Sequence, residues 1–114
     1  MDSVRELTAR LEAAETEMQT LERLGAEFGL PLEKQRLAAT AKIAALKKQI
    51  RTAAAELERK IEQSGMATVE AEIFRRRYVA SESFKAIAAA VGCSASNVYR
   101  YHAQARRKYQ QHWS

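Results

Sequence analysis

Between Phe84 and Ala103 the chain reads FKAIAAAVGCSASNVYRYHA, with glycine, small and apolar residues where two helices joined by a sharp turn need them. Gly92 suits the left-handed position that ends a helix. Ile87, Ala88 and Val91 then share one face of the helix before it, and Val98 and Tyr101 line the helix after it. Helices that cross at about 90–120° through a three- or four-residue turn must approach closely, which Ala88 allows. Cys93 supplies a small apolar group in the turn, and Ser94 or Ser96 offers an N-cap hydroxyl. The pattern predicts a helix-turn-helix, with a helical hairpin that binds nothing as the plainer alternative.

The rest of the chain fits that reading. Its 114 residues leave room for one ordinary domain or two small ones. The start, MDSVRELTAR, has no uninterrupted apolar run, so neither a signal peptide nor a membrane span is expected. The single cysteine, Cys93, suits a reducing, cytoplasmic setting. With one proline and four glycines, the chain should be almost wholly helical, an all-α fold.

Charge divides the chain. Residues 1–65 hold eleven Lys/Arg and eleven Asp/Glu, whereas residues 66–114 hold eight and three, so the net +5 belongs to the C-terminal part. From Ser94 onward there is no acid, while Arg100, Arg106, Arg107 and Lys108 accumulate beside His102 and His112. A basic, acid-free helix is an electrostatic footprint for phosphate. The competing reading is a solvated helix end whose cations complement the helix dipole.

Residues 1–65 read as a coiled-coil helical hairpin for oligomerisation. Val4, Leu7, Leu11, Ala14, Met18 and Leu21 step by three and four, as do Ala39, Ile43, Leu46, Ile50, Ala53 and Leu57. GAEFGLP interrupts the pattern: Gly25 and Gly29 can end a helix and Pro31 suits the first turn of the next, which predicts helices over 3–24 and 31–63. Residues 1–30 carry a net −4 and residues 31–65 a net +4, favouring association of the two helices within one chain or across two. Folded back, the longer helix overhangs near Ile50 to Ile61 and exposes apolar seam. That predicts a homodimer through Leu7, Leu11, Met18, Leu21, Ile43, Leu46, Ile50, Leu57 and Ile61, the other candidate partner being a different protein.

Residues 66–114 read as a three-helix module. Thr68 is expected to cap a helix through Val79, Ser83 a second helix over Phe84–Val91, and a third runs from about Ser96 to Gln111. Phe74, Phe84, Ile87, Val91, Val98 and Tyr101 are the expected core, and Tyr109 and Trp113 are expected to cover its open end. Seven of the eight aromatic residues fall here, as a module this small requires to be stable.

VEAEIFRRRYVASESFKAIAAAVGCSASNVYRYHAQARRKY resembles the region-four DNA-binding domain of bacterial sigma factors, in which a helix of the type ExxIFxLRY precedes SxxEIAxxLGxSxxTVxxxxxRAxxKL. The match covers about residues 68–109 and is specific at Glu72, Phe74, Arg77, Tyr78, Phe84, Ile87, Ala88, Gly92, Ser94, Val98, Ala105 and Lys108. The LuxR type of response-regulator output domain shares much of this pattern. With its coiled coil, the whole chain is similar to small phage-encoded transcription regulators. Ala86, preceded by Lys85, replaces the acid usual beside the isoleucine-alanine pair, and nothing resembles the sigma segment that melts promoters. The resemblance implies promoter or operator binding, with RNA polymerase as a further candidate partner.

In a helix-turn-helix the second helix lies in the major groove with its N-terminal residues at base edges. Asn97, Arg100, Ser96 and Tyr99 are the candidate base contacts, Arg100 suited to guanine and Asn97 to adenine. Lys85, Ser94, Arg75, Arg76, Arg106, Arg107 and Lys108 are the candidate phosphate contacts. Tyr99 packing on the preceding helix and Asn97 acting only as a cap are the competing roles. His102, His112 and Cys93 match no zinc spacing and no glycine-rich phosphate loop occurs, so no metal, cofactor or enzymatic activity is expected. The other functions the pattern allows are a DNA-binding part of a phage packaging or recombination assembly, and a protein-binding adaptor.

Overall fold

The computed structural model describes residues 3–113; positions 1, 2 and 114, the outer ends of the two expected segments, lie outside the described residues. Five helices and no strand are found among them: α1 (Ser3–Phe28), α2 (Glu33–Gln63), α3 (Thr68–Tyr78), α4 (Phe84–Val91) and α5 (Ala95–Trp113). The fold is all-α, a helical hairpin followed by a three-helix module. By their contacts the described residues separate into two compact units, residues 6–52 and residues 53–113 together with residues 3–5.

In the first unit, α1 and α2 lie side by side, joined by a Lys42–Glu17 ion pair of 3.9 Å. Ala14, Ala39 and Leu46 are buried, while Leu7, Leu11, Met18, Leu21, Ile43 and Ile50 are half-buried along the same seam. The turn differs from expectation at both ends. α1 runs through Gly25, a tolerable cost of about 1 kcal/mol, and stops at Gly29, whose φ of +62° only glycine adopts cheaply. Pro31 lies ahead of α2 rather than in its first turn, and the Leu32 carbonyl starts the helix by accepting from Arg36 N–H at 2.9 Å.

The second unit begins at Ala53 rather than near Met66, because the end of the α2 seam finds cover within the same chain. Leu57 and Ile61 are 6% and 2% exposed, and Val4 at the start of α1 is fully buried in this unit. The expected overhang of bare seam between Ile50 and Ile61 is therefore corrected: its outer half is occupied inside one chain. Trp113 closes the end of α2. Its indole N–H donates to the Lys60 carbonyl at 3.1 Å and to Ser64 Oγ at 2.9 Å, where helix-terminal carbonyls need donors. Arg75 Nε reaches Glu58 at 2.7 Å from α3.

The module's core is Ile73, Ile87 and Val98, with Val69, Phe84, Ala88, Val91, Cys93 and Tyr101 packed against it. Phe74 is fully buried between Tyr78 and Tyr109, at ring-centroid distances of 4.5 and 5.2 Å. The N-cap of α3 is Ala67, not Thr68: no side chain caps the first turn, and the Glu70 carboxylate accepts from Ala67 N–H at 2.7 Å. Ser83 caps α4 as expected, its hydroxyl accepting from Ala86 N–H at 3.1 Å. No helix among the described residues is long and apolar enough to cross a membrane.

Candidate nucleic-acid interface

Gly92 ends α4 at φ 69°, ψ 29°, and its N–H bonds back to Ala88, the left-handed cap that the sequence requires. Ser94 is the cap of α5, its hydroxyl accepting from Asn97 N–H at 3.2 Å with Ser96 Oγ 3.4 Å away. Because Ser94 does the capping, the Asn97 side chain is left exposed for other use.

α5 is two-sided. Val98, Ala105 and Tyr109 are buried against the module. Ser96, Arg100, Gln104 and Arg107, stepping by four, four and three, are exposed on the opposite face. Gln104 was not among the sequence candidates. Its i+4 relation to Arg100 is the signal that identifies it. Tyr99 is 55% exposed and also tilts against the Phe84 ring at 4.8 Å, so it both packs on α4 and presents a surface.

The six cationic phosphate candidates separate into two groups. Lys85, Arg106 and Arg107 are exposed and, like Arg100, make no ion pair among the described residues; the Arg100 guanidinium lies 5.2 Å from the Tyr101 ring centroid. Three others pair with acids in the structure. Arg75 pairs with Glu58, and Arg76 pairs with Glu72 at 2.7 Å and Glu82 at 3.4 Å. Lys108 reaches the buried Glu70 at 2.7 Å. Burial alone would raise the Glu70 pKa, but the Lys108 and Ala67 hydrogen bonds and the Lys108 charge outweigh it and hold the carboxyl below its ordinary value. Arg77, not a sequence candidate, sits 4.3 Å over the Phe84 ring and donates to the Glu82 carbonyl at 3.1 Å.

His102 belongs to the packing between helices rather than to the basic surface. Its Nε2 lies 2.7 Å from the Tyr78 hydroxyl, and its ring meets Phe84 edge-on at 4.9 Å. Burial first, then the charges of Arg106 and Arg77, lower its pKa. A base whose folded pKa is depressed gives stability that is full above its unfolded value, about 6.5, and is lost as pH falls from there toward the folded value. The melting temperature should therefore decline between pH 7 and 5, and His102→Phe should flatten that decline. An equal decline in the variant would show that the imidazole is not responsible.

Among the described residues no cluster of three His, Cys, Asp or Glu side chains is placed to hold a metal. No curated protein and no solved structure matches the chain. A family model does match over residues 64–108, that of sigma-70 region 4. Its span takes in the turn at Ser64-Gly65, α3, α4 and most of α5. The capped turn at Gly92, the two-sided helix after it and this match agree, and residues 64–108 form a helix-turn-helix domain like that of sigma-70 region 4.

Proposed function

We propose that the chain is a sequence-specific, double-stranded DNA-binding transcription regulator that acts as a homodimer through its N-terminal hairpin. The observation that carries this reading is the outer face of α5, where Ser96, Arg100, Gln104 and Arg107 stand exposed on a helix with no acid along its length. The N-terminal turns of α5 enter the major groove. Arg100 reads guanine through two hydrogen bonds, Asn97 and Gln104 suit adenine, and Ser96 and Tyr99 complete the reading surface. Lys85, Ser94, Arg106 and Arg107 hold the phosphates on either side and set the register. Two copies present two reading heads, so the operator is two half-sites related by a two-fold axis. The family match supports DNA binding; the step to transcription control rests on the resemblance to small phage regulators.

Selection of bound duplexes from a random pool, followed by footprinting, tests this. Enrichment of paired, inverted half-sites is expected. Enrichment of one unpaired site would contradict the dimeric reading, and no enrichment would contradict sequence-specific binding.

A further inference from the structure

Within residues 6–52 one flank of the hairpin is hollow. Ala13 and Glu17 on α1 face Ala38, Lys42 and Ala45 on α2 across two adjoining depressions of about 390 and 240 Å³, with Ala39 and Leu46 in their lining. Positions 38, 42 and 45 recur at four and three along α2, and 13 and 17 at four along α1, so the hollows form a groove parallel to the helices. Alanine at 13, 38 and 45 lowers the walls between the longer Arg10, Gln35, Lys42 and Gln49 side chains that also line the groove, so that another helix meets small residues alternating with polar ones.

We propose that this groove is where a second copy of the chain docks, closing two hairpins into a four-helix bundle. The inference rests on the dimeric reading above and specifies its surface. Two observations select a second copy as the occupant. First, of the hydrophobic side chains in this unit only Ala14, Ala39 and Leu46 are buried. A two-helix unit with so small an apolar core needs further burial to be stable. Second, α1 is acid-rich and α2 base-rich, with residues 1–30 at a net −4 and residues 31–65 at +4, yet among the described residues Lys42–Glu17 is the one ion pair that joins the two helices here. A two-fold partner sets each acidic helix beside a basic one, the complement that a chain with this charge division carries in itself.

Sedimentation of the full chain should give twice the 12.8 kDa chain mass. Ala38→Arg/Ala45→Arg should run as a monomer at concentrations where the unsubstituted chain is dimeric, with dissociation strengthened at least tenfold and helical circular dichroism retained. Ala45→Glu alone, which also keeps a residue favoured in helices, should shift the equilibrium the same way, so lost folding of one variant does not decide the matter. Leu37→Ser, 62% exposed and outside the groove, should leave the mass unchanged. A dimer that survives both groove variants would overturn the groove while leaving dimerisation standing. An unsubstituted chain running at 12.8 kDa, or as a larger ring, would overturn both. Duplex binding of the same samples reports the helix-turn-helix separately, so DNA recognition stands or falls by its own readout.

Discussion

Phe74→Ala is expected to lower the stability of the C-terminal unit by about 3–5 kcal/mol, the range for truncating a fully buried aromatic ring. Phe74 joins α3 to α5: its ring is fully buried, stacks on Tyr109 at 5.2 Å with 26° between planes, and tilts against Tyr78 at 4.5 Å. Its removal leaves both rings facing a void that no neighbouring element can close without moving α5. Small domains are stable by about 5–15 kcal/mol, with short ones toward the lower end. A loss of this size should bring the unit's melting to ordinary working temperatures and abolish duplex binding with it. Urea unfolding followed by circular dichroism checks the expectation; a loss under about 1 kcal/mol would show that the ring is not central to the module.

Arg100→Ala is expected to act on recognition and not on folding. The side chain is exposed, lies on the face of α5 opposite Val98 and Ala105, and has its guanidinium 5.2 Å from the Tyr101 ring centroid, so its removal leaves no buried cavity. A bidentate arginine–guanine contact is worth about 1–3 kcal/mol of discrimination, which corresponds to a roughly 5- to 150-fold weaker cognate site. Preference should relax at one base pair per half-site, with unrelated duplexes affected much less. Equal weakening across all sequences would show that Arg100 contacts phosphate instead.

The helix-turn-helix was legible because its demands are local. Gly92, Ala88 and Val98 must be small, flexible or apolar for reasons within a few residues of each, and the cap at Ser83 likewise depends on the next turn. What the sequence hid depends on partners brought in from a distance. Lys108 and Glu70 are 38 positions apart, so nothing in an acid-free stretch of α5 reveals that one of its cations is already neutralised. Glu70 also takes the Ala67 N–H, and the helix starts one residue earlier than the Thr68 cap predicts. Trp113 docks on Lys60 and Ser64 from about 50 positions away, and the burial of Leu57 and Ile61 moved the start of the compact C-terminal unit back to Ala53. Heptad spacing identified an apolar seam; which chain or element covers each part of it is a tertiary question.

In the proposed function, duplex binding is carried by the cations left open on the helix-turn-helix, so affinity should fall with salt in step with their number. Lys85, Arg100, Arg106 and Arg107 are open, whereas Arg75, Arg76 and Lys108 are paired with acids. About three neutralised phosphates per reading head, from Lys85, Arg106 and Arg107, each contributing about −0.9, should give a slope of about −3 for log affinity against log salt on a duplex carrying one half-site. Arg107→Ala should make that slope shallower by nearly one unit, and Lys108→Ala should leave it unchanged while lowering stability. A flat slope, or no duplex binding at low salt, would overturn DNA binding through these cations.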